Sequence, residues 1–182
     1  CNSFVKFSTA YTDRDGYYSM EKAFSTDVRY RLVFKNEKGF GIGLNLILLP
    51  ASVSTLGKAG PEGVTMTITE DSDEKLFKRC VVNNAAYDYY SRCVTGDMGI
   101  AAPPSDLRIW LFYNLEASSA VMLHHGTILE SDLIGKYLGI YTDLIRVFLP
   151  DITLGVKGKD SYRDLYDTTC HELAHASHFT KA

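Results

Sequence analysis

The chain has 182 residues, 46% of them hydrophobic, and a net charge of −3. That balance supports one large core or two small ones and excludes a disordered chain. The charges are interspersed, so no basic patch points to nucleic acid, and no apolar run reaches the 18 or more residues of a transmembrane helix.

The first third reads as β structure. Phe4-Val5-Lys6-Phe7 alternates weakly, and Thr12-Asp13-Arg14-Asp15-Gly16 predicts a turn in which Gly16 takes a positive φ. Val28 to Phe34 has strand period and β-branched or aromatic content. Asn36-Glu37-Lys38-Gly39 turns the chain before the apolar stretch Phe40 to Leu49. Pro50 to Pro61 is rich in Ser, Gly and Ala and reads as a linker, and Val64 to Ile68 as a short strand.

The stretch YTDRDGYYSMEKAFSTDVRYRLVFKNEKGF, Tyr11 to Phe40, resembles the carboxypeptidase-regulatory-like β-sandwich found in many Bacteroidetes surface proteins. The resemblance covers about thirty residues and implies an accessory module without chemistry, here partial and ending near Thr69. The chain starts at Cys1 without an initiator Met or a signal peptide, which reads as a processed or trimmed product. A mature chain starting with Cys resembles a bacterial lipoprotein, which implies a lipid on Cys1; trimming that happens to leave a cysteine in front is the alternative.

From Asp73 to Cys93 the pattern predicts a helix capped by Asp71 or Asp73, with Leu76, Phe77, Cys80, Val81, Asn84 and Tyr87 on its apolar face. Cys80 and Cys93 then lie about 20 Å apart on one helix, beyond disulfide reach. No CxxC occurs, so a thiolate zinc site is not expected and most of the four cysteines read as small buried hydrophobes. Pro103-Pro104 breaks the chain. Leu107 to Tyr113 and Ala120 to His124 predict strands, with Trp110 and Phe112 in the core. Asp132 to Leu149 predicts a helix ended by Pro150, Ile152 to Val156 a short strand, and Ser161-Tyr162-Arg163-Asp164 the capped start of a last helix.

That last helix carries His171-Glu172-Leu173-Ala174-His175 and then His178, three of the chain's five histidines. On a helix, residues four apart share a face, so His171 and His175 can direct two imidazoles at one cation. Glu172 lies about 100° away, where it can take a proton from a coordinated water without ligating. Zinc lowers the pKa of such a water to about 7 and polarises a carbonyl; the carboxylate then passes the proton to the leaving amine.

Asp160 to Phe179, with the strand before it, resembles the zincin (HExxH) superfamily of metallopeptidases. The resemblance implies zinc as cofactor, His171 and His175 as ligands, Glu172 as general base, a peptide or protein substrate, and an edge strand that holds extended substrate by β-augmentation. Ile152 to Val156 is the segment expected to fill that last role. The chain departs from the metzincin form, which needs Gly and His where His178 and Lys181 stand. The gluzincin form takes a Glu from a later helix, and only seven residues follow His175.

The third ligand is therefore open. His178, at i+7 from His171, is a candidate metal ligand or a residue lining the pocket. His124 and His125 end a predicted strand and read as loop histidines or neighbours of the site, Glu130 and Asp132 as helix-start residues, and Tyr162 or Tyr166 as candidates to bond an oxyanion. Cys170 points off the histidine face and reads as a buried helix residue.

The expected architecture is α+β, with a β-sandwich module over 1–69 and a zincin-like peptidase domain over 70–182. The expected function is hydrolysis of peptide bonds by a zinc-activated water in an extracytoplasmic protein, secreted or anchored on a bacterial outer membrane. The alternatives are a non-catalytic binding or adhesion module on a degenerate zincin scaffold, and a structural domain whose histidines lie on a solvated helix face.

Overall fold

The computed structural model describes residues 6, 8–13, 15–22, 24–43, 53–123, 125 and 149–179, and over these the chain is mixed α+β, with two helices and two sheets. Two compact units divide it, residues 1–32 with 54–67 and residues 33–53 with 68–182. The break after Thr67 falls beside the boundary expected at Thr69, while the segment 33–53 belongs with the second unit. The expected strand at Phe4 to Phe7, the expected helix from Asp132 to Leu149, His124, Glu130 and most of the apolar stretch after Phe40 lie outside the described residues.

In the first unit the Asp13 turn forms as expected. The Asp13 carboxylate accepts the Asp15 and Tyr17 amides at 2.9 Å each, and Gly16 takes φ +84°. Strand β1 (Val28–Val33) pairs with a strand over Val53–Ala59, labelled β3 below. The latter corrects the linker expected from Pro50 to Pro61: pairing with β1 overrides the weak strand propensity of its Ser, Gly and Ala residues. The strand expected over Val64 to Ile68 is absent. Instead, the Val64 amide donates to the Tyr18 hydroxyl at 2.8 Å, which donates back to the Val64 carbonyl at 3.3 Å. Tyr30 is buried, and its hydroxyl donates to the Gly60 carbonyl at 2.9 Å.

In the second unit a four-stranded sheet runs in the order β2-β4-β6-β5, with β2 at Gly41–Ile42, β4 at Arg108–Phe112, β5 at Ser119–Ala120 and β6 at Ile152–Gly155. The first three strands are parallel and β5 runs antiparallel to β6. Ile42, Ile109, Leu111, Ile152 and Leu154 are fully buried, the run of branched apolar residues expected of interior parallel strands. Trp110 and Phe112, expected in the core, lie on the other, half-buried face of β4; alternation along the strand separates them from Ile109 and Leu111. The strand expected from Ala120 to His124 is only two residues long, because Met122 turns into the left-handed region at φ +50°.

Helix α1 spans Glu74–Thr95, with Asp73 accepting the Leu76 amide at 2.9 Å as its N-cap and Gly96 closing it at φ +81°. Its buried face is rotated from the expected one: Val82, Ala85, Ala86, Tyr89 and Cys93 are buried, while Asn84 and Tyr87 are exposed. The cause is the second helix, α2 (Tyr162–Phe179), which packs against α1. Tyr89 and Ser177 share a hydrogen bond at 3.3 Å, and the Tyr166 hydroxyl donates to Asp88 at 3.0 Å. Among the described residues no helix is long and apolar enough to cross a membrane.

Candidate metal centre

Helix α2 starts where the spacing predicts. Ser161 caps it, its hydroxyl oxygen accepting the Asp164 amide at 3.1 Å. Leu165, Thr169, Glu172, Leu173, Ala176 and Ser177 recur at helical spacing and form the buried face. That burial fixes the rotation of the helix and so leaves His171, His175 and His178 exposed.

His171 and His175 converge. Their Nε2 atoms are 3.1 Å apart and their rings meet edge to face with centroids 4.8 Å apart. Two nitrogens each at a zinc–imidazole bond length from one tetrahedral ion lie about 3.3 Å apart. The observed separation therefore fits a shared cation with little rearrangement. Without one, the same contact is a hydrogen bond in which one imidazole donates and the other accepts.

Glu172 is only 6% exposed and lies beside the pair. His171, Glu172, His175 and Phe179 line one side of a hollow of about 480 Å³, and Ser118, Ser119, Ala120, Val121 and Met122 line the other. Among the described residues no group of three or more His, Cys, Asp or Glu is placed to hold a metal. His178 is exposed and is not part of the lining.

The strand beside the hollow is β5, not Ile152 to Val156. The latter is the interior strand β6, flanked by β4 and β5, and its burial left no edge to offer. The residues of β5 and its flanks are held in place by two features of the neighbouring strand. At Gly155 a side chain would meet the backbone of Leu115 and Glu116 at 2.7 Å and the Ala117 carbonyl, so only glycine lets that segment cross. At Asp151 the carbonyl accepts the Met122 amide at 2.8 Å.

The Asp151 carboxylate is fully buried and accepts the Arg108 amide at 3.0 Å, the His125 amide at 3.1 Å and the His125 ring Nδ1 at 2.9 Å. The hydrogen bond to Asp151 holds the His125 pKa above the ordinary imidazole value. His125 is thus tied to the sheet rather than free in a loop. Tyr166 donates to Asp88 and stacks on Tyr162, and neither ring lines the hollow. Cys170 is half-buried, its thiol pushed up to about 11 by burial, and it too lies outside the lining.

The lining from Ser118 to Met122 was not foreseen from sequence, nor were Phe179 and Asp151. An isolated Gly155 within a strand pattern and an Asp directly after Pro150 were the available signals.

No protein-family model matches the chain, and no curated protein and no solved structure is significantly similar to it.

Proposed function

We propose that the chain is a zinc-dependent peptidase of the zincin type. The observation that carries this is the pair of Nε2 atoms 3.1 Å apart, with the Glu172 carboxyl group one helical step away and all three residues lining one hollow. His171 and His175 would hold the zinc through Nε2, and a third ligand would come from outside the described residues. Bound zinc supplies a Lewis acid that polarises the scissile carbonyl and makes water acidic enough to attack it. With the metal bound, Glu172 would accept a proton from the attacking water on a carboxylate oxygen and return it to the departing amine. β5, one of the two outer strands described for its sheet, supports an extended peptide as an added strand beside the histidines.

An N-terminal accessory module and a location on the bacterial surface belong to the same proposal and rest on the resemblances in the sequence. The test is cleavage of denatured protein and peptide libraries by the zinc-reconstituted wild type and by Glu172→Gln. Cleavage by the wild type alone supports the peptidase. Zinc binding without any cleavage by the wild type sinks it and favours the non-catalytic binding module.

A further inference from the structure

Met122 is the one lining residue with a left-handed backbone, at φ +50°, a conformation that disfavours a side chain. It is also 3% exposed, so its side chain is packed where the hollow meets the core. Such a conformation persists only where its surroundings over-determine it. Among those surroundings Asp151 makes several of the contacts. Its carbonyl holds the Met122 amide at 2.8 Å, and its carboxylate holds the His125 amide and ring three residues further on. The same carboxylate is anchored to β4 through the Arg108 amide at 3.0 Å, and the Asp151 amide donates to the Arg108 carbonyl at 2.9 Å. The segment leaving β5 is therefore pinned at two points to the sheet.

We propose that Asp151 is a positioning residue of the candidate peptidase site: it clamps Met122 and His125 so that Ser119 to Met122 stay against His171 and Glu172 as the wall on which substrate lies. Asp151 does not line the hollow; its main-chain carbonyl bonds Met122, and its carboxylate acts on the same segment through His125, the arm that side-chain variants test. The inference rests on the hollow being the peptidase site. It assigns substrate binding to the β5 wall and metal binding to α2, two functions carried by separate elements.

Separate elements give separable readouts. In Asp151→Asn one of the two carboxylate oxygens becomes an amide nitrogen facing a donor, so one side of the clamp opens. His125→Ala leaves the buried carboxylate bonded to Arg108 and tests the other side if Asp151→Asn fails to fold. Both variants are to be compared with the wild type for bound zinc, amide hydrogen exchange along Ser119 to His125, and KM and kcat on a cleaved peptide. Zinc affinity is expected to stay within about threefold, because the ligands lie on α2. Exchange of the Ser119 to His125 amides is expected to quicken about tenfold while α2 keeps its protection. KM is expected to rise about tenfold with kcat within about twofold, because the wall contacts substrate in ground and transition states alike.

Unchanged exchange in both variants, or a fall in kcat with KM unchanged, overturns the clamp. A failure of the peptidase proposal looks different: the wild type itself neither binds zinc nor cleaves, and the role in substrate positioning falls with it.

Discussion

His171 and His175 place their Nε2 atoms 3.1 Å apart on the exposed side of a helix whose other side is buried. The separation follows from two facts of the sequence. The spacing of four residues aligns the two rings, and the buried run from Leu165 to Ser177 sets which way they face.

Under the proposed mechanism, substitution at Glu172 should separate metal binding from proton transfer. Glu172→Gln preserves shape at a buried position, so zinc content and thermal stability should match the wild type. Peptide cleavage should fall about a hundredfold to ten-thousandfold, the range ascribed to a lost general base. Steady-state kinetics beside a zinc assay of the same samples checks this; full cleavage in Glu172→Gln would remove Glu172 from the mechanism.

Gly155→Ala should destabilise the second unit by about 1–3 kcal/mol, the usual cost of forcing extra atoms into a packed site. The added carbon would meet the Leu115 and Glu116 backbone at 2.7 Å, and backbone cannot move aside as a flexible side chain can. Urea unfolding measures the loss. The segment leading into β5 should also exchange faster, since it is the part pushed outward.

The His125–Asp151 pair should make stability depend on pH. The Asp151 carboxylate raises the folded-state pKa of His125, so the protonated form is favoured in the folded chain. Its contribution is then fully present below the unfolded pKa of about 6.5 and is lost as pH rises through the higher folded value. Unfolding titrations of wild type and His125→Ala should differ by about 1.5–3 kcal/mol at the acid end and converge toward alkaline pH. A difference that grows with pH would contradict the pairing.

Lys78 is a cation buried inside the second unit, 4% exposed. It donates to the Val156 carbonyl at 3.2 Å and pairs with Glu74 at 2.7 Å. Lys78→Ala leaves that carbonyl only the Lys159 amide at 3.4 Å and leaves a gap where the buried side chain packed, and should cost about 1–3 kcal/mol. Lys78→Met, which keeps the apolar stem, should cost less. Equal losses in chemical denaturation would assign the effect to the charge alone.

The helices and the central strands were legible because their signals are local: a cap at Asp73, a cap at Ser161, and apolar runs at Leu107 to Tyr113 and Ile152 to Val156. The histidine helix was legible for the same reason, since i and i+4 are neighbours whatever the tertiary fold. What failed depends on partners distant in sequence. Val53–Ala59 is a strand because β1 pairs with it, and the α1 face turned because α2, distant in sequence, packs against it. The identity of the edge strand failed too. β5 contributes two residues, Ser119 and Ala120, and takes its place from Asp151 and Gly155, some thirty residues away.

The most direct measurement is the zinc content of the full chain after chelator dialysis and reconstitution, for wild type, His171→Ala and His178→Ala. About one zinc per wild-type chain, lost in His171→Ala and kept in His178→Ala, is the expected result for a centre built on His171 and His175. No zinc above background in the reconstituted wild type would contradict the metal centre and with it the peptidase.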